Sequence, residues 1–184
     1  MVNIEYTPNP DTLKFLPGKK VSNIGPHEFT KEDKNIEVPL ANRILSLSGT
    51  SMVFFGEDFI TVKKEKNLKW DDLKHHIISE INDFYSKGND VVLKKELNIS
   101  KENTAKSESN TIVKKINEIL DTKIRPAVAR DGGDITFKSL EKGVVKVELK
   151  GSCSGCPSSI MTLKQGVQNL LCHYIPEVQS VEAE

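Results

Sequence analysis

The chain has 184 residues, enough for one ordinary domain or two small ones, with 37% hydrophobic and 28% charged residues, as in globular proteins. Lys plus Arg and Asp plus Glu number 26 each, so the formal net charge is zero and the basic excess of a nucleic-acid binder is missing. No apolar run approaches the roughly 20 residues of a membrane span, so neither nucleic acid nor membrane is an expected partner.

In chain order, Ile4–Tyr6 and Leu13–Leu16 alternate like short strands, and Pro8-Asn9-Pro10-Asp11 between them has the composition of a turn. Pro39 to Leu47 predicts a short helix with Leu40, Ile44 and Leu47 on one face. Met52–Phe55 and Phe59–Lys63, rich in aromatic and β-branched residues, read as a hairpin around Gly56-Glu57-Asp58. Trp70 to Tyr85 predicts a helix, with Leu73, Ile77, Ile81 and Phe84 at three- and four-residue spacing. This first stretch, 1–88, reads as an α+β domain with helices packed on a sheet. The segment 89–109 is polar, contains no proline, and reads as a linker that is flexible from Asn98 onward.

The remainder, 110–184, predicts the order α-β-β-α-β. A helix from about Thr111 carries Ile112, Ile116, Ile119 and Leu120 on one face, and Pro126 must kink or restart it. Asp131-Gly132-Gly133-Asp134 reads as a turn. Ile135–Leu140 and Val144–Lys150 form a hairpin in which Val145, Val147 and Leu149 alternate with charged residues. Gly151-Ser152-Cys153-Ser154-Gly155-Cys156 then leads into a helix from Pro157 to about Leu171, with an apolar stripe of Ile160, Leu163, Val167, Leu170 and Tyr174. A strand at Val178–Glu182 closes the chain. The fold class is therefore α+β, two small domains joined by a polar linker.

There are three cysteines. A secreted disulfide scaffold would carry more, in an even count, so Cys153 and Cys156 point to metal or redox chemistry in a reducing compartment. Two thiolates three positions apart can turn toward one soft metal centre. Cys156 falls at the expected helix N-cap, where exposed amides favour an anion and should lower the thiol pKa. Gly151 and Gly155 let the backbone bend around a bulky ligand. Cys172 stands sixteen residues further on, roughly 24 Å at 1.5 Å per residue, too far to share a centre with Cys156. The simplest way to complete four thiolates is a second copy of the chain. A lone C-x-x-C also suits thiol–disulfide exchange, so a small oxidoreductase using the same pair stays open as the alternative. The pair follows a hairpin, whereas thioredoxin places its pair after a β-α-β arrangement.

Arg125-Pro126-Ala127-Val128, Asp131-Gly132-Gly133-Asp134 and Gly151 through Ser159 together resemble the NifU C-terminal, or Nfu, domain, and Leu163-Lys164 and Tyr174 through Val178 match its tail. Asn9-Pro10 to Phe15 and Phe54-Phe55-Gly56 to Thr61 resemble the amino-terminal domain that precedes it in many Nfu proteins. The resemblance implies a 4Fe–4S cluster bridging a homodimer, ligated by Cys153 and Cys156, with no catalysis. It also implies upstream assembly scaffolds and apo iron–sulfur client proteins as partners. In this reading the flexible linker lets the first domain hold a client while the second brings the cluster close.

Other residues have plainer expectations. Cys172 and His173 read as packed at a helix end, His75 and His76 as solvated, Lys63–Lys66 as an exposed strand end, and Trp70 and Phe84 as core. Asp131 and Asp134 read as turn residues rather than a hard-cation site. The amino terminus lacks the basic start and apolar core of a secretory signal and is not an Arg-rich presequence. The expected compartment is a bacterial cytoplasm, with the mitochondrial matrix as the alternative.

Overall fold

The computed structural model describes residues 2–33, 36–91, 107–155 and 157–183, without the side chains of 107–110 and 157–159. Cys156 and 92–106, most of the expected linker, lie outside the described residues.

Strands β1 (Asn3–Tyr6), β2 (Thr12–Leu16), β3 (His27–Thr30), β4 (Thr50–Phe55) and β5 (Ile60–Lys64) form one antiparallel sheet in the order β1-β2-β5-β4-β3. Two helices, α1 (Pro39–Ser46) and α2 (Trp70–Ser86), cover one face. The period of two in the strands and the three-to-four period in the helices bring Leu13, Phe15, Val53, Phe55, Ile60 and Val62 against Leu40, Ile44, Leu73, Ile77, Ile81 and Phe84. Phe84 is in this core as expected, whereas Trp70 is only partly buried at its edge. Strand β3 was not anticipated. Its His27-Glu28-Phe29-Thr30 is half-buried throughout and has only one apolar residue against the core, Phe29, so it carries no alternation to read. Nor is Lys63–Lys66 uniformly exposed: Lys64 is buried in an ion pair with Asp11 at 2.7 Å, and Lys63 is half-buried.

The second domain opens with α3 (Ser107–Ile119), which starts before the expected Thr111. The proline does not simply kink it. A π-helical segment, Leu120–Ile124, widens the last turn, and α4 (Arg125–Arg130) restarts with Pro126 in its first turn. Proline cannot donate to the carbonyl four residues back, and the wider turn accommodates that missing bond. Strands β6 (Gly133–Glu141) and β7 (Val144–Gly151) form the hairpin. Helix α5 (Pro157–Tyr174) crosses over so that β8 (Ser180–Ala183) pairs parallel to β7. Val145, Val147 and Leu149 face inward as the alternation requires. On α5 the buried line is Val167, Leu171 and then Ile175, one helical turn apart, while Tyr174 is about half exposed. The stripe through Leu170 and Tyr174 was therefore one residue off around the helix.

The Asp-Gly-Gly-Asp run is only partly a turn, because Gly133 and Asp134 already belong to β6. Asp134 is buried and receives both Arg125 Nε (2.8 Å) and Nη2 (3.0 Å), while Arg125 Nη1 reaches Asp121 at 2.9 Å. This forked pair ties the restarted helix to the first strand and leaves the Asp134 carboxylate occupied by a guanidinium rather than available to a cation. Arg125→Ala should strand a buried carboxylate and lower the stability of the second domain by about 3 kcal/mol, the low end of the range because Arg125 is partly exposed. The Arg125→Ala/Asp134→Ala double variant should recover part of the loss in urea titrations. A double variant no more stable than the single one would show that the pair is not the cause.

Candidate functional site

Strand β7 ends at Gly151, and Ser152 to Gly155 turn sharply before α5 begins at Pro157. The turn is stitched to the Asp131–Gly133 segment. The Ser152 amide donates to Gly132 O at 3.1 Å, and the Ser152 hydroxyl donates to Asp131 O. Within the turn, the Ser154 amide and hydroxyl both donate to Gly151 O, at 3.2 and 2.8 Å. Gly132 and Gly151 have φ of +79° and +68°, left-handed values that a side chain would strain. A Cβ on Gly151 would also lie 2.6 Å from Gly132 O, so the two turns approach main chain to main chain.

This packing places Cys153 next to Gly133, where an added Cβ would come within 2.7 Å of its Sγ. Cys153 is 5% exposed, at the margin of the second core. It borders a cleft of about 360 Å³ whose walls include Pro8, Asp131, Thr162 and Leu163. The ligand assignment to Cys156 lies outside the described residues. Cys172 is near the far end of α5, partly buried against the second core, and the neighbouring His173 is exposed and packs edge-on to Tyr174. His75 and His76 are exposed on α2. Among the described residues no three of His, Cys, Asp or Glu converge as a metal-binding group. Chemically, the turn offers soft sulfur at the head of a helix on a backbone held open by glycines.

The unexpected part of the site comes from the first domain. Its sheet is buried on both faces. Opposite the helical core lie Met52, Phe54 and Phe59, with Ala129 of the second domain packed on them. Among the described residues five hydrogen bonds cross between the domains. Asn9 Nδ2 donates to Ser152 O (3.0 Å), Thr61 Oγ1 to Gly132 O (2.7 Å), Lys63 Nζ to Ser154 O (3.4 Å) and Lys14 Nζ to Arg130 O (3.4 Å). The Gly151 amide donates to Glu28 Oε2 at 2.7 Å. In every case a first-domain side chain meets second-domain main chain. Asn9, Glu28 and Thr61 were not singled out from the sequence. One signal was available: Met52-Val53-Phe54-Phe55 is apolar without alternation, the pattern of a strand covered on both sides.

Comparison with known proteins identifies two matching families. The model described as "Scaffold protein Nfu/NifU N terminal" matches residues 2–88, and that described as "NifU-like domain" matches residues 116–182. The chain is 43% identical over its whole length to "NifU-like protein 4, mitochondrial" of Arabidopsis thaliana, covering 65% of that protein. It is 47% identical, over 98% of its length, to "NFU1 iron-sulfur cluster scaffold homolog, mitochondrial" of Drosophila grimshawi, covering 60% of it. The Homo sapiens protein of the same name is 43% identical over 98% of the chain, which covers 70% of it. The chain thus spans about 60–70% of the length of these relatives.

Glu28 is the carboxylate among the side chains that bond across the seam between the domains. Burial raises its pKa above the usual 4.5, and the Gly151 amide, Lys150 and Lys63 only partly offset this. A carboxyl whose folded pKa exceeds the unfolded value contributes most stability below the unfolded pKa and loses it as pH rises through the folded one. Glu28→Gln keeps an oxygen acceptor for the Gly151 amide and removes the charge. At neutral pH it should melt at or above wild type, and the difference should shrink as pH falls through the carboxylate range. Glu28→Ala, which leaves the amide without its acceptor, should melt lower by about 1–3 kcal/mol in stability. A Gln variant less stable than wild type at neutral pH would mean the carboxylate charge is favourable there.

Proposed function

Because the chain belongs to the NifU-like (Nfu) family of iron–sulfur cluster scaffold proteins, we propose that it carries an iron–sulfur cluster between two copies of itself and passes it to apo-proteins. The cluster is cargo in this reading, and the chain does no turnover chemistry. A 4Fe–4S cluster is held by Cys153 and Cys156 of each copy, in a two-domain chain of 1–88 and 110–184 joined by 89–109. An upstream assembly scaffold supplies the cluster and apo iron–sulfur clients receive it.

The observation that carries the proposal is the separation of the cysteines along α5. Cys153 is held at the head of the helix by the two glycine turns, whereas Cys172 lies fifteen residues beyond Pro157, roughly 22 Å at 1.5 Å per residue. One chain therefore supplies two neighbouring thiolates, and a cluster normally takes four. A cluster split between two chains leaves when they separate, which suits delivery. The thiol–disulfide alternative gains no support from the matched families. The relatives named mitochondrial support the matrix alternative, and the bacterial cytoplasm expected from the amino terminus has no support among them.

Anaerobic reconstitution should give a brown protein with about four irons per two chains, seen by native mass spectrometry as a cluster-bearing dimer. Cys153→Ser and Cys156→Ser should each abolish the absorbance, because a hydroxyl is a hard, poor replacement for a soft thiolate. Cys172→Ser should keep the iron and cost some stability. A cluster-loaded monomer, or iron lost with Cys172 while the fold persists, would overturn the assignment.

A further inference from the structure

The outer face of the first-domain sheet is a built surface. Thr61 and Lys63 alternate with Ile60 and Val62 on β5, and Phe54 with Val53 and Phe55 on β4, so the same strands that feed the helical core present a second set of side chains outward. An antiparallel sheet of this kind usually leaves one face to water. Here Phe54 and Thr61 are fully buried, and the second domain covers them with two turns, at Gly132 and at Gly151 where the chain leads into Cys153, together with Ala129. The fit depends on the missing side chains of both turns. A Cβ on Gly132 would lie 2.7 Å from Thr61 Oγ1, and one on Gly151 would lie 3.1 Å from the Phe54 ring. Asn9, Glu28, Thr61 and Lys63 then satisfy main-chain groups at Ser152, Gly151, Gly132 and Ser154.

We infer that this face is a receptor for the chain's own cysteine turn, and that closing the chain on itself competes with bridging a cluster to a second copy. The competition rests on the function proposed above; the receptor face does not. Cys153 is nearly inaccessible at the margin of the second domain's own core, and in the closed chain Pro8 of the first domain adds part of the wall of the cleft beside it. A cluster shared between two chains needs this sulfur presented outward, toward a second turn of the same shape. The first domain occupies one side of that approach. Closure then holds the empty chain in a protected form, and loading draws on the open fraction, so apparent loading is slowed by the fraction closed.

The Gly151 amide reports closure directly, because its acceptor, Glu28, belongs to the other domain. Hydrogen exchange at this amide would be followed in the full-length apo chain, alongside the rate of cluster uptake from ferrous and ferric iron with sulfide under anaerobic conditions. Two variants open the face without touching Glu28 or either cysteine. Thr61→Arg drives a long side chain into the Gly132 turn, and the gentler Asn9→Ala/Lys63→Ala removes two of the crossing hydrogen bonds. The expected result is a protected Gly151 amide in the wild-type apo chain, exchange at least tenfold faster in Thr61→Arg, and a smaller rise in the double variant. Cluster uptake should accelerate in the same order. An amide that exchanges at the open rate in the wild-type apo chain would overturn the receptor, and equal uptake by closed and opened chains would overturn the competition. If no chain takes up a cluster, the proposed function and the competition both fall, while a protected amide that Thr61→Arg releases still supports the receptor face.

Discussion

The close approach of two turns, main chain against main chain at Gly132 and Gly151, is the contact on which the rest of the structure depends. The Ser152 amide bonds to Gly132 O across it, and there is no room for a side chain on either glycine. Because β6 begins immediately after one turn and β7 ends at the other, the contact fixes the open end of the hairpin. The same contact sets where the chain leaves β7, and so where Cys153 stands relative to the start of α5. Whatever disturbs the approach moves the sulfur.

The forked Arg125–Asp134 pair extends that control to the preceding helix. Asp134 is the second residue of β6, so its carboxylate is placed by the turn, and Arg125 is placed by the restart of the helix after the π-helical segment. A helix running straight through Pro126 would lack the amide bond four residues back. The widened turn and the ion pair together settle how α4 meets the strand, and α4 carries the Ala129 that packs on the first domain. Local backbone irregularity, electrostatics and domain packing are thus linked through a few residues.

How much of this could be read in the sequence depends on whether a feature leaves a period or a spaced motif. The long helices and β7 were legible because Leu73, Ile77, Ile81 and Phe84, or Val145, Val147 and Leu149, repeat at the period of their element. The cysteine turn stood out in the sequence because thiols three apart beside glycines are unusual. Strand β3 was not legible, since Phe29 alone contributes to the core and a single apolar residue has no period. The stripe on α5 slipped by one position because Leu170 and Leu171 are adjacent, and only packing chooses between them. The roles of Asn9, Glu28 and Thr61 were hidden for a different reason. Their partners are backbone atoms more than seventy positions away in the sequence, and a backbone atom leaves no trace in residue identity. The continuous apolar run at Met52–Phe55 did announce a covered face, without saying by what.

That the crossing hydrogen bonds all end on main-chain atoms has an evolutionary consequence. Every residue has an amide and a carbonyl, save proline for the former, so the contact places almost no demand on which side chains the cysteine turn carries. The demand falls on its curvature, and so on its glycines. The first domain bears the opposite burden, because there the side chains make the bonds. The bonds between the domains do not depend on the Ser154 side chain, whereas they are lost with the side chains of Asn9, Glu28 or Thr61. Sequence constraint from this one surface should therefore fall unequally on the two domains.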